Sequence, residues 1–228
     1  MTSRPTHNDP MTNPRFSAAF FDIDGTLIDT GPPHVEAERA TIKAFGFDDL
    51  ADYHPVTFGQ GVKPGAQMVA DHYGLDDAEA VLNEYLRQWK RIASDGIDLL
   101  PGADAAVRSV AATGMQVALV TSGERPYADG FMKMAGLDDV FSGSVTLDDV
   151  SNLKPHPGPY LKAAELLDAT PSKCIVFEDS IAGFVAARAA GMTCVGVGKV
   201  ALAAEGDEAP DMAIASFEGF DIWNVRPV

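Results

Sequence analysis

The run Phe20-Phe21-Asp22-Ile23-Asp24-Gly25-Thr26-Leu27 limits what this chain can fold into. An apolar stretch, Ala18 to Phe21, stops abruptly at two carboxylates and a glycine. The stretch is short and aromatic, which predicts a strand buried on both faces. If the strand period continues, Asp22 and Asp24 project to one side at its carboxyl end. Open α/β sheets place their ligands at that end. Two carboxylates there repel each other unless a cation, a shared proton or a reacting group sits between them. An Asp-Gly hairpin turn is the plain alternative. A calcium loop would need further acidic positions and a closing glutamate, which are missing.

The 228 residues and 46% hydrophobic content suffice for one sizeable core, or a core with a smaller second unit. A net charge of -16 gives no basic excess to displace counterions, so nucleic acid is not an expected partner. The two cysteines, Cys174 and Cys194, each lie in an apolar run and read as core residues of a reducing, cytoplasmic setting. No apolar run approaches the roughly 18 residues of a membrane span. The start, residues 1–15, is rich in Thr, Asn and Pro and reads as a disordered tail, not a signal peptide.

A first strand is expected over Ser17–Asp22, then a linker, Asp29-Thr30-Gly31-Pro32-Pro33. From His34 to about Leu99 the patterns are helical. Val35, Ile42 and Phe45 share a face, with Gly46 as a stop. A loop runs through Gly59, Gly61, Pro64 and Gly65, and Ala66, Val69, Ala70 and Tyr73 then repeat at helical spacing up to Gly74. Asp76 is placed to cap a further helix with the stripe Ala78, Val81, Leu82, Tyr85, Leu86, Trp89, and the insertion ends near Asp95-Gly96.

Helices and strands then alternate. Helices are expected from Pro101-Gly102 through Ala112, over Pro126–Ala135, through Leu167, and with the stripe Ile181, Phe184, Val185, Arg188, Ala189. Strands are expected over Met115–Val120, Val140–Val145, Cys174–Phe177, Thr193–Val197 and Met212–Ile214. This alternation predicts an α/β fold: a Rossmann-like, doubly wound parallel sheet with a helical unit inserted after the first strand.

Three strands end in polar groups: Asp22 and Asp24, then Thr121 and Ser122, then Glu178 and Asp179. In a parallel sheet these ends share one rim. Lys154 lies in a proline-rich loop just before the third. Each has a local alternative: Thr121 or Ser122 as a helix cap, Asp179 and Ser180 where an N-cap belongs, Lys154 as a solvated lysine. The chemistry that uses the whole set is phosphoryl transfer to a carboxylate. Carboxylates hold a hard cation such as Mg²⁺, and one of them can act as nucleophile. A hydroxyl and an ammonium steady the phosphoryl oxygens, and a second carboxylate moves protons.

These residues resemble the haloacid dehalogenase superfamily of phosphohydrolases. Four motifs match in order: Asp22-Ile-Asp24-Gly25-Thr26, the apolar strand ending at Thr121, Lys154 in Leu-Lys-Pro-His-Pro, and Glu178-Asp179-Ser-Ile-Ala-Gly183. The match spans about Phe16 to Gly198. The helical insertion resembles the C1 cap of the β-phosphoglucomutase and phosphoglycolate phosphatase type. The resemblance implies a core of residues 16–32 and 98–228 and a cap of residues 33–97. It implies that Asp22 is nucleophile and metal ligand, and that Asp24 is the general acid/base, touching the metal through its backbone carbonyl. Thr121 and Lys154 would bind the phosphoryl group, with Ser122 a further substrate-binding candidate. Asp179 would complete the Mg²⁺ shell, with Glu178 beside it, direct or through water.

His34 matches a frequent histidine of the sugar-phosphate branch, though it also suits an ordinary first helical turn. Lys63 is the first basic residue after the loop Thr57–Val62. The expected activity is hydrolysis of a small phosphorylated metabolite, a sugar or polyol phosphate, by a monomer or weak homodimer without nucleic-acid or membrane partners. A phosphosugar mutase shares the same core and stays open, although a mutase of this branch usually carries a basic residue in that loop. Dehalogenation and phosphonate cleavage are disfavoured by Asp24, and a silent binding protein by the complete motif set.

Overall fold

The computed structural model describes residues 15–47, 62–94, 96 and 98–228. Most of the expected tail, the loop with Gly59 and Gly61, and Asp95 lie outside the described residues. The described elements, in order, are β1 (Ala18–Phe21), α1 (Gly31–Ala44), α2 (Val62–Tyr73), α3 (Ala78–Ala93), α4 (Ala103–Ala111), β2 (Gln116–Val120) and α5 (Arg125–Ala135). They continue with β3 (Gly143–Val145), α6 (Gly158–Leu166), β4 (Cys174–Glu178), α7 (Ile181–Ala189), β5 (Thr193–Val197), α8 (Gly198–Ala203) and β6 (Met212–Ile214). Two compact units result: Ile28–Leu99, and the chain up to Leu27 joined with everything from Leu100. No helix among the described residues is long and apolar enough to cross a membrane.

The larger unit is a six-stranded parallel sheet in the order β3-β2-β1-β4-β5-β6. Every residue of β1, β4 and β5 is buried, as a strand covered on both faces requires. One face of the sheet, with Phe20, Val120, Val176 and Cys194, packs against Tyr160 and Ala163 of α6, Phe184 and Ala187 of α7, and Ala201 of α8. On the other, Phe21 stacks on Phe177 at 4.3 Å, and Phe141, Phe217 and Phe220 close around the pair. The chain winds outward from β1 through β2 to β3, then returns to place β4 on the other flank of β1. That reversal makes β1/β4 the switch point, where such sheets open a crevice. Register then sets the site. Phe21 is level with Leu119 and with Phe177, so Asp22, Val120 and Glu178 come next at the same height.

Several local expectations are corrected. Gly31, Pro32 and Pro33 form the first turn of α1 and not a linker, because a proline at the start of a helix lacks only an N–H that has no partner there. Pro64 and Gly65 likewise lie in the first turn of α2. Asp77, not Asp76, caps α3, accepting from Ala80 N at 2.9 Å. Only Gly143–Val145 of the expected Val140–Val145 strand pairs, since Val140 closes a turn onto Leu137. In α1 the buried stripe is Ala37, Glu38, Thr41 and Ile42, and Val35 is only half-buried. Two polar residues on the packed side hid that face from an apolar count.

The face of α7 is also different: Gly183, Phe184, Ala186 and Ala187 are buried, while Ile181 is 40% exposed and Arg188 points outward. Close approach is the reason. A Cβ on Gly183 would stand 1.9 Å from the Glu178 carboxyl carbon, so the helix can seat only its smallest residue there. Gly183→Ala must push the helix or the carboxylate aside, and overpacking of this kind costs ~1–3 kcal/mol. Urea unfolding should show that loss in the midpoint; an unchanged midpoint would refute the contact.

Candidate functional site

The loops after β1, β2 and β4 bring Asp22, Asp24, Thr121 and Asp179 to the carboxyl edge of the sheet, and Lys154 arrives from the loop before α6. The Lys154 ammonium donates to Asp22 Oδ1 at 2.7 Å, to Glu178 Oε1 at 2.5 Å and to the Val120 carbonyl at 2.9 Å. These three acceptors are the residues that strand register holds level. The Lys154 side chain is 5% exposed, so its charge depends on those partners. Burial alone would lower its pKa, but the Asp22 and Glu178 carboxylates outweigh burial and raise it. It stays an ammonium.

Glu178 is the anchor of this arrangement. Its Oε1 also accepts from the Tyr160 hydroxyl at 2.8 Å, and that phenol is wholly buried. Its Oε2 accepts from Asp179 N at 3.1 Å, Ser180 N at 3.2 Å and Ser180 Oγ at 3.0 Å. Two lone pairs per oxygen are thereby filled. Ser180 caps α7 through Gly183 N, as its position after the strand suggested, so the capping role falls on Ser180 and not Asp179. Asp179 is left at the mouth of the site. Gly25 makes way for it: a Cβ there would lie 2.1 Å from Asp179 Oδ2, and the φ of +78° also suits glycine. The Asp-x-Asp-Gly-Thr turn is therefore shaped by a residue more than a hundred positions away, not by a hairpin.

Carboxylate oxygens of Asp22, Glu178 and Asp179 lie within 4.8 Å of one another. One ammonium faces three carboxylates, so the cluster is short of positive charge. Burial, offset in part by Lys154 and reinforced by Glu178, Asp179 and Asp24, raises the Asp22 carboxyl well above its usual range. Burial and then the Glu178 charge raise Asp179 to about 7. A hard divalent cation fits this donor set of carboxylate oxygens. Because Glu178 already holds its full set of donors, Asp22 and Asp179 are the carboxylates open to such an ion.

Thr121 is 2% exposed and its Oγ1 accepts from Gly123 N at 3.0 Å, while Ser122 is exposed. Asp24 Oδ1 accepts from the Tyr127 hydroxyl at 2.5 Å. His34 and Lys63 belong to the helical unit. The His34 ring stacks on Trp89 at 4.1 Å and is hydrogen-bonded to the Tyr85 hydroxyl, and Lys63 is exposed in the first turn of α2. Sequence reasoning missed the roles of Tyr160 and Tyr127. A tyrosine among the alanines of α6 was the one local signal, since a buried phenol needs a partner.

The comparisons with known proteins agree with this geometry. Residues 19–197 match the model of the haloacid dehalogenase-like hydrolases, and the chain belongs to that family. It is an enzyme, a phosphoric monoester hydrolase. A phosphorylated carbohydrates phosphatase of Thermotoga maritima is 32% identical over 176 residues, covering 77% of this chain and 82% of that one. A fructose-1-phosphate phosphatase of Escherichia coli is 31% identical over 184 residues, covering 80% and 97%. The crystal structure of a β-phosphoglucomutase from Clostridium difficile shares the fold with a TM-score of 0.75 at 22% identity, over 90% of this chain and 93% of that one.

Lys154→Met leaves Asp22 and Glu178 buried without their cation. Breaking a buried pair from one side costs ~3–5 kcal/mol near neutral pH. The deficit should shrink as pH falls through the carboxylate range, because a proton can then take the place of the ammonium. Denaturant titrations at several pH values check both, and a pH-independent or negligible loss would refute the role of Lys154 as the site's charge anchor.

Proposed function

We propose that this enzyme hydrolyses small sugar or polyol phosphates in the presence of Mg²⁺, by way of an aspartyl phosphate on Asp22. The observation that supports the reading is the Lys154 contact: it occupies Asp22 Oδ1 at the sheet's carboxyl edge, and Oδ2 is the oxygen to which we assign the attack on phosphorus. The names of the two phosphatase relatives support a phosphorylated carbohydrate as substrate. The mutase alternative is not better supported than this reading, since the likeness to β-phosphoglucomutase structures is matched by the likeness to named sugar phosphatases.

In this reading an Asp22 Oδ2 lone pair forms a bond to phosphorus as the ester P–O bond breaks. The leaving oxygen takes its electron pair and receives a proton from Asp24. Water then gives a proton to Asp24 and attacks the same phosphorus, and the bond to Asp22 breaks to release phosphate. Thr121 and Lys154 steady the phosphoryl oxygens while charge redistributes. Asp22, Asp179 and the Asp24 carbonyl would hold Mg²⁺. A bound Mg²⁺ supplies positive charge that offsets the phosphoryl oxygens and the crowded carboxylates. The unit Ile28–Leu99 is, on this proposal, the C1-type cap that selects the substrate, with His34 and Lys63 among its polar groups.

A phosphate-release screen over sugar, polyol and nucleotide monophosphates with Mg²⁺ tests the substrate class; turnover confined to nucleotides would refute it. Asp22→Asn should abolish turnover and leave no acid-stable, hydroxylamine-sensitive phosphoenzyme, because an amide is a poor nucleophile. Asp24→Asn should lose ~10²–10⁴-fold on a sugar phosphate and much less on p-nitrophenyl phosphate, whose leaving group needs little protonation. Near-normal turnover by Asp22→Asn would place the nucleophile elsewhere. Excess EDTA should silence the wild type and Mg²⁺ restore it, and full turnover in EDTA would refute the metal requirement.

A further inference from the structure

Asp24 follows Asp22 by two residues in the turn after β1. It is met from the side by Tyr127, the third residue of α5, whose hydroxyl donates to Asp24 Oδ1 at 2.5 Å across 103 residues of sequence. The approach is built into the turn after β2. A Cβ on Gly123 would lie 2.6 Å from Tyr127 Cδ1, so the phenol ring can cross this turn only over a glycine. The same Gly123 donates its N–H to Thr121 Oγ1. One short turn therefore orients the hydroxyl proposed for the phosphoryl group and the ring that reaches the proposed acid/base.

We propose that Tyr127 is a positioning residue for Asp24, fixing which carboxyl oxygen moves the proton. The inference rests on the proposed role of Asp24 as general acid and base. A phenol O–H can donate both to a carboxylate oxygen and to the carbonyl oxygen of a neutral carboxyl. With Oδ1 held by Tyr127 in either state, the transferable proton sits on Oδ2. Oδ2 then donates to the leaving oxygen in the first step and accepts from water in the second. Rotation that exchanged the two oxygens would break the Tyr127 bond. General acid catalysis depends on the donor lying within hydrogen-bond reach of its target, so a fixed carboxyl keeps that geometry from turnover to turnover.

Tyr127→Phe removes the hydroxyl and keeps the ring over Gly123, so the fold is retained. The measurement is kcat/KM on a sugar phosphate and on p-nitrophenyl phosphate, because this ratio covers only steps up to departure of the alcohol. The expected result is a loss of about tenfold on the sugar phosphate, part of the ~10²–10⁴-fold that a general acid supplies, with the activated ester almost unaffected. Equal losses on both esters, or none on either, would overturn the proposal. A double variant, Asp24→Asn with Tyr127→Phe, closes a cycle. The Tyr127→Phe loss should vanish in the Asp24→Asn background if the hydroxyl acts through Asp24; a loss that persists there assigns Tyr127 a structural role and overturns the proposal. Asp24→Asn alone separates the two levels. If it fails to discriminate between the esters, the acid/base reading of Asp24 fails. If it discriminates and Tyr127→Phe does not, only the positioning role fails.

Discussion

A single ammonium between two buried carboxylates and a strand-end carbonyl is the contact on which the rest of this site depends. Lys154 binds Asp22, Glu178 and the end of β2 at once, so it ties the loop before α6 to three neighbouring strands. Its charge, buried as it is, is sustained by those partners. The sheet supplies the precision. With Phe21 level with Leu119 and Phe177, a one-residue slip of β1 would carry Asp22 away from Val120 and Glu178. Burial on both faces of β1 fixes that register far more firmly than any local hydrogen bond.

The four acids of the site have separate tasks because their surroundings differ. Glu178 is 1% exposed and surrounded by donors from Lys154, Tyr160, Asp179 and Ser180. It braces the others and has no lone pair to spare. Asp22 gives one oxygen to Lys154 and Asp179 is only partly enclosed, so both remain open to a cation. Asp24, half-buried, is held by a phenol. A hydrogen bond from a neutral phenol directs a carboxyl without neutralising it, which suits the proton transfer proposed for Asp24. The charge shortage of the cluster explains why a divalent ion fits this donor set; burial first, and the neighbouring carboxylates after it, push Asp22 and Asp179 toward their protonated forms.

The helical unit follows a different logic. Its core is small, with Ile42, Ala66, Val69, Ala70 and Val81 at the centre and Phe45, Phe47 and Tyr73 around them. Glu38 and Thr41 are buried on α1 beside Ile42, and His34 is engaged by Tyr85 and Trp89. Glu38, Thr41 and His34 are thus committed to the packing of this unit.

The sequence by itself determined the α/β class, the helical insertion and the set of acids, hydroxyl and lysine that meet at one rim. It did so because apolar runs that stop at polar residues mark strand ends, and strands separated by helices must lie parallel. Helix faces were legible where apolar side chains repeat at helical spacing, as with Ala66, Val69 and Ala70 of α2. They were not legible where close approach decides, as at Gly183, or where a polar residue is buried, as at Glu38. Only the tertiary structure decided which strands flank β1, and therefore that Lys154 meets Asp22 and Glu178 together. Only it placed Tyr160 on Glu178 and Tyr127 on Asp24. Those contacts join residues 18 and 103 positions apart, and no local propensity encodes a partner that sheet register and a missing Cβ bring into reach.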